Sequence, residues 1–211
     1  MPLARISSKI LFFAHIPKTG GTSIETYMAG KGALALHCKK RGMWAKTTPQ
    51  HMHADVFNKF IPESFVDFSF TVMRDPGDRF VSEYLHRKVM TGSSVAFVPW
   101  AKRVLAERKL KPALFDNHLR SQVNFLRAGM KVFLFESEFE LVYDWIDTVT
   151  ETPPLAHDVW KRKAKEEKPK LDEEIANLLA QSYRRDYALL RVLGSETGQT
   201  LTKEHLAAIG I

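Results

Sequence analysis

Residues 10–23 read Ile10-Leu11-Phe12-Phe13-Ala14-His15-Ile16-Pro17-Lys18-Thr19-Gly20-Gly21-Thr22-Ser23. The apolar run Ile10 to Ala14 is short and is bounded by Lys9 and by Pro17, the pattern of a buried strand. Lys18-Thr19-Gly20-Gly21 follows as a turn, and Thr22 or Ser23 supplies an N-cap for a helix starting near Ile24 and running toward Met28. The stretch is therefore strand, glycine-containing loop, helix. Glycines let backbone N–H groups turn inward, and a helix N-terminus adds partial positive charge, so the junction is a cradle for a phosphate-like anion. Lys18 adds a mobile full charge, and Thr19, Thr22 and Ser23 add hydroxyls. The plainer alternative is a glycine turn with a capping hydroxyl. A lysine, two glycines and three hydroxyls packed into one junction favour the cradle. It is not a Walker A loop, because the lysine precedes the glycines and no Gly-Lys-Ser/Thr occurs in the chain.

Working outward, the same unit recurs. Phe65 to Met73 ends in a solid apolar stretch and reads as a second buried strand. Arg74-Asp75-Pro76-Gly77-Asp78 is a turn, and a helix follows from about Arg79 to Met90 with Phe80, Val81 and Tyr84 inward. Arg74 thus sits at the carboxyl end of a strand, where open α/β sheets bind ligands. Its guanidinium fork, with the Ser82 hydroxyl eight residues on, can hold a terminal phosphate. The alternative is a local Arg74–Asp75 ion pair and a surface Ser82. Val132 to Phe135 is a third short strand. Further helices are expected around 99–110, 116–128 and 138–148, and Asp172 to Val192 carries one helical stripe. Residues 30–50, with Gly30, Gly32, Gly42 and Pro49, look irregular. Short buried strands separated by helices predict an α/β fold with a small central parallel sheet flanked by helices.

The 211 residues suffice for one sizeable core, and 1–211 reads as a single domain. With 45% hydrophobic and 26% charged residues, the chain is neither disordered nor collagen-like. Lys and Arg number 31 against 24 Asp and Glu, a net +7 that favours an anionic partner without naming it. The single cysteine, Cys38, excludes an intrachain disulfide and a Cys-rich metal site. The N-terminal apolar run is too short for a signal peptide or a membrane span, so a soluble, cytoplasmic protein is expected. The basic run Trp160 to Lys170 (WKRKAKEEKPK) reads as a solvated connection, with contact to an acidic polymer as the functional alternative.

Taken together, "IPKTGGTS" and "RDPGDRFVSEY" resemble the two nucleotide motifs of the sulfotransferase superfamily that uses 3′-phosphoadenosine 5′-phosphosulfate. The order is right, and each lies at a strand-to-helix junction. The similarity is greatest to the carbohydrate branch, the heparan and chondroitin sulfate enzymes and their bacterial relatives. Weaker similarity extends to "NHLRSQVNFL" and "LAQSYRRDYALL". The resemblance implies a P-loop-kinase-like, three-layer fold and no metal requirement. It implies that Pro17, Lys18, Thr19, Gly20, Gly21, Thr22 and Ser23 bind the 5′-phosphosulfate, with Lys18 stabilising the bridging oxygen, and that Arg74 and Ser82 bind the 3′-phosphate. Arg79 is either a support for this loop or a structural pair with Asp75 or Asp78, and the structural reading is favoured.

Sulfuryl transfer also needs a base for the acceptor hydroxyl, and a histidine near neutrality suits it. Of the 8 histidines, His51 and His53 in "TPQHMHADVF" lie between the two motifs. "HAD" resembles the segment carrying the base in heparan 6-O-sulfotransferases, so His53 is assigned as base and His51 as acceptor-binding partner or substitute. Two competing readings are a thin metal site with Asp55 and two surface or capping histidines. His15, at the strand end, reads as packed and hydrogen-bonded. Glu136 reads as a cap or ion-pair partner, and His118 and Arg120 receive no role. The acceptor is expected to be a carbohydrate hydroxyl. The rival functions are an atypical nucleotide-dependent kinase, which would need Mg²⁺ and ATP, and a non-catalytic polyanion-binding protein. Neither a nucleic-acid partner nor a membrane span is expected.

Overall fold

The computed structural model describes residues 1–211 apart from 41, 43, 44, 138 and 157–166. The stretch 160–166 of the basic run therefore lies outside the described residues. The opening apolar run is a strand, β2 (Lys9–Ala14), preceded by β1 (Leu3–Ile6). Ile6 pairs with Lys9 across a two-residue turn, in which Ser7 takes the positive φ of 51° that such hairpins favour. The decisive loop leads into α1 (Gly21–Lys31), and a short strand β3 (Ala33–Ala35) pairs antiparallel with β1. Next come α2 (Ala54–Phe60), β4 (Phe68–Met73) and α3 (Pro76–Thr91), then α4 (Phe97–Leu110), β5 (Lys131–Leu134) and α5 (Glu140–Thr150). The chain closes with α6 (Glu173–Ser182), α7 (Arg184–Leu193), β6 (Gln199–Thr200) and α8 (Lys203–Ala207).

Among the described residues six strands form one sheet, in the order β3-β1-β2-β4-β5-β6. Only β2-β4-β5 is parallel; β1, β3 and β6 join antiparallel. The expected small parallel sheet is therefore corrected to a mixed one. The three strands visible as apolar runs are its centre, buried on both faces. The edge strands are short and partly exposed, so no solid apolar run marks them.

Side-chain alternation along β2 divides the core. Phe12 stacks on Phe57 of α2 at 3.7 Å between ring centroids, whereas Phe13 packs on Phe70 of β4 at 4.9 Å on the other face. Ile24, Met28 and Ile146 of α1 and α5 join the Phe13 face, and Leu189 and Leu193 of α7 join the Phe12 face. Helices thus cover both sides of the sheet. A third cluster of Phe80, Trp100, Val104 and Leu179 ties α3, α4 and α6 together.

Two helix expectations fail for identifiable reasons. Residues 116–128 are not helical: Phe115, Asp116 and Asn117 all have positive φ (53°, 58° and 66°), and only a 3₁₀ turn forms over Gln122–Phe125. Asp and Asn tolerate the left-handed region, and here both side chains are drawn into hydrogen bonds to the 48–51 segment. The stripe from 172 to 192 is two helices rather than one. Tyr183 sits between them, 1% exposed, its hydroxyl donating to Leu119 O at 2.9 Å. Residues 30–50, expected to be irregular, contain β3.

Candidate functional site

The loop after β2 is built around two glycines. Gly20 has φ 79° and caps α1 without any side-chain bond, and a Cβ there would meet the Phe139 ring at 2.3 Å. At Gly21 a Cβ would lie 2.3 Å from the His15 ring. The helix therefore starts at Gly21, not Ile24, and neither Thr22 nor Ser23 caps it. Ser23 N donates to Gly20 O at 3.0 Å, and with no side-chain cap the N–H groups of Gly21 and Thr22 face water or an anion. Thr19 is fully buried and its hydroxyl donates to Ile16 O at 2.8 Å, which ties the loop together and leaves only its backbone for a ligand. Pro17 is buried, Thr22 exposed and Ser23 half-buried. Lys18, half-buried, holds a left-handed φ of 71°, a conformation that costs a non-glycine residue about 1–2 kcal/mol.

The second motif meets this loop. Arg74 Nη1 donates to Lys18 O at 3.2 Å, and its guanidinium carbon lies 4.2 Å from the centre of the Phe135 ring. Arg74 Nε is buried with no partner among the described residues. Burial pushes the guanidinium down from its ordinary pKa, against the nearby carboxylates of Asp78, Glu136 and Asp75. Those carboxylates have tasks of their own. Asp75 caps α3 by accepting from Asp78 N at 2.9 Å, Glu136 accepts from Asp75 N at 3.0 Å, and Asp78 faces Lys168 at 3.3 Å. Ser82 is half-buried on the second turn of α3. Arg79 is structural, but its partners are backbone carbonyls: Nη1 reaches Pro17 O at 3.5 Å and His118 O at 2.8 Å, and Nη2 reaches Arg120 O at 2.7 Å.

Behind the loop lies a row of histidines. The rings of His15 and His51, and of His51 and His118, meet edge to face at 4.9 Å; His86 stacks on His118 at 6.0 Å. Three of them place Nδ1 on a carboxylate. His15 faces Glu25 at 2.6 Å, His51 faces Asp116 at 2.7 Å, and His118 faces Glu83 at 2.7 Å. The carboxylates are further held by Gln50 at Glu25, Thr48 at Asp116 and Arg87 at Glu83. Burial alone would raise Asp116, but the bonds from His51 and Thr48 hold it well below the usual carboxylate range. Burial lowers His51 to about 4, so it is neutral at pH 7. Among the described residues no three of these groups converge on a metal position.

His53 stands apart from the row. It precedes α2, with Nε2 3.9 Å from the exposed Asp55 and Nδ1 buried without a partner among the described residues. Burial first, then the charge of Arg120, lowers its pKa, and Asp55 opposes the shift. Neither His51 nor His53 caps a helix through its side chain.

Sequence reasoning did not find Glu25, Glu83, Asp116 or Gln122. Glu25 and Glu83 do leave a trace, since each falls beside buried apolar residues of its helix, Ile24 and Met28 or Phe80 and Tyr84, where an acid requires a partner. Asp116 and Gln122 leave none, because the turn that presents them read as helix.

The His51 pair makes stability depend on pH. His51 takes up protons in the unfolded chain near 6.5 but in the fold only near 4, so unfolding is favoured as pH falls across that window. The buried Met1 amino group, lowered to about 4 by burial, acts in the same sense, and Asp116 adds its loss at still lower pH. His51→Gln is expected to flatten the denaturation midpoint between pH 6.5 and 4.5, removing at most roughly 3 kcal/mol of dependence. An unchanged slope would show that the histidine is solvated.

A family model described as Sulfotransferase family matches residues 6–191. No curated protein and no solved structure gives a significant match.

Proposed function

The chain belongs to the sulfotransferase family, and we propose that it moves a sulfuryl group from 3′-phosphoadenosine 5′-phosphosulfate to a hydroxyl, on a carbohydrate acceptor, with His53 as general base. The observation that carries the reading is the meeting of the two motifs, Arg74 Nη1 on Lys18 O at 3.2 Å. One nucleotide could then touch the β2–α1 loop at its 5′ end and Arg74 at its 3′ end. The chemistry of the donor set fits such a ligand: an uncapped helix N-terminus, a lysine, and a buried guanidinium whose Nε has no partner among the described residues.

When bound, the donor supplies the sulfuryl group and a phosphate leaving group. Lys18 would hold the bridging oxygen and stabilise the charge that grows there as the sulfur–oxygen bond breaks. The backbone from Pro17 to Gly21, with Thr22 and Ser23, would hold the 5′-phosphate; Arg74 and Ser82 would hold the 3′-phosphate. His53 would take the acceptor proton at Nε2, and Asp55 would face the resulting imidazolium. His51, locked on Asp116, orients the surroundings or contacts the acceptor. This logic needs positioning and electrostatics more than covalent work, as in phosphoryl transfer. We read 1–211 as one catalytic domain of the P-loop-kinase-like type, resting on the loop between β2 and α1. The free, exposed Cys38 suits a reducing compartment such as the cytoplasm. No described helix is long and apolar enough to cross a membrane.

Calorimetry with adenosine 3′,5′-bisphosphate and with Mg²⁺-ATP tests the donor assignment. The bisphosphate is expected to bind without metal and at least about tenfold more tightly than ATP, because a guanidinium–phosphate contact adds a charge-assisted bidentate bond. The reverse preference favours a kinase. An acceptor panel with sulfur-labelled donor then identifies the hydroxyl.

A further inference from the structure

Arg74 is held by its main chain as well as by its guanidinium. Gln122 Oε1 accepts from Arg74 N at 3.0 Å, and Gln122 Nε2 donates to Arg74 O at 2.7 Å. One amide side chain thus satisfies both backbone groups of one residue, just past the end of β4. Gln122 is fully buried, and so is the group that anchors it. Asp186 of α7 accepts from Ser121 Oγ at 2.5 Å, from Gln122 N at 2.9 Å and from Val123 N at 3.2 Å, which fixes the start of the 3₁₀ turn.

We propose that Gln122, braced by Asp186, is a positioning residue that presets Arg74 for the 3′-phosphate and so sets the preference for a 3′-phosphorylated nucleotide. The inference rests on the reading that Arg74 binds that phosphate. An arginine side chain loses much rotamer freedom when it grips a ligand, and an arginine already fixed loses less. Here the backbone is clamped by Gln122, the guanidinium face lies on Phe135, and one nitrogen is fixed on Lys18 O. The rest of the guanidinium remains to meet an anion, Nε being without a partner among the described residues. The brace arrives from α7, which packs on the Phe12 face of the sheet, whereas α1, which follows the 5′-phosphate loop, packs on the Phe13 face; its removal is therefore expected to act chiefly on the 3′ end of the nucleotide.

That asymmetry supplies the test. Kd values for adenosine 3′,5′-bisphosphate and for AMP, which lacks the 3′-phosphate, are measured by calorimetry on the full chain. The wild type is expected to prefer the bisphosphate. Gln122→Met, of similar length but without the amide, and Gln122→Glu, which turns the donor into an oxygen facing Arg74 O, are each expected to weaken bisphosphate binding about tenfold. AMP binding should stay within twofold. Ser121→Ala removes one of the three bonds to Asp186 at a half-buried position. It is expected to lower the same preference about threefold, and it decides the matter if the buried substitutions unfold the protein. A folded variant that keeps the full preference overturns the inference alone, as does an equal loss for both nucleotides, which is general damage. A wild type with no preference overturns the Arg74 reading and this inference with it.

Discussion

Lys18→Ala is expected to lower sulfuryl transfer by about 10³-fold or more, with the fold intact. The size follows from what the residue faces. Removing one preorganised donor from a site of developing charge typically costs two to three orders of magnitude, and Lys18 brings a full charge rather than a dipole. The backbone gives a second, independent readout. Lys18 holds φ 71°, which is costly for any L-residue but not for glycine. Lys18→Gly relieves roughly 1–2 kcal/mol of that strain and loses about 0.5–1 kcal/mol to the greater freedom of the unfolded chain. Lys18→Gly should therefore be at least as stable as Lys18→Ala and equally inactive. This is the signature of strain kept for function. Thermal melts with labelled-donor assays on both variants check it. Turnover within about tenfold of wild type in either variant would remove Lys18 from the chemistry.

The fold was legible where burial is two-sided. β2, β4 and β5 announce themselves because a strand covered on both faces must be apolar throughout. β1, with Arg5 exposed between buried neighbours, and β3, only three residues with both alanines exposed, carry no such run. Their pairing is a tertiary fact: a Cβ at Gly32 would meet Arg5 O at 2.1 Å, so the strands approach where only glycine fits. Missing these edges is what turned a mixed sheet into a parallel one. The α6–α7 break was hidden for a similar reason. Tyr183 continues the helical stripe, and only its bond to Leu119 O marks the place where the chain bends.

The site divides along the same line. The loop between β2 and α1 could be read from spacing, because Gly20 and Gly21 at a strand–helix junction have few uses other than a tight turn. Residues that act through distant partners could not. Arg79 was recognised as structural, yet its partners in sequence reasoning were nearby aspartates, whereas the guanidinium bridges carbonyls 39 and 41 residues away. Asp75 was unavailable because the α3 N-terminus needs it as a cap. The row from His15 to His86 gathers four segments of chain that no periodicity links. The nearest signal was the buried acids on α1 and α3.

His53→Gln is expected to lower kcat by about 10²–10⁴-fold, the usual contribution of a positioned general base, and to abolish the acid limb of the rate profile. His51 provides the contrast. Its Nδ1 is bonded to Asp116 and its ring packs edge-on against His15 and His118, so His51→Ala strands a half-buried carboxylate and loosens the row. That variant should lose stability together with activity, whereas His53→Gln should lose activity alone. The sign of the pH effect follows from the neighbours of His53. A base works deprotonated, and its pKa is lowered by burial and by Arg120, so the acid limb of kcat/KM should fall below the ordinary histidine value of about 6.5. Asp55 pulls the other way, raising it. Asp55→Asn should therefore move the acid limb to lower pH, without removing it, because Asp55 is exposed and its field is partly screened by solvent. If the limb stays in place in Asp55→Asn and persists in His53→Gln, the titrating base is another residue, and His51 and His118, each already oriented by a carboxylate, are next to be replaced.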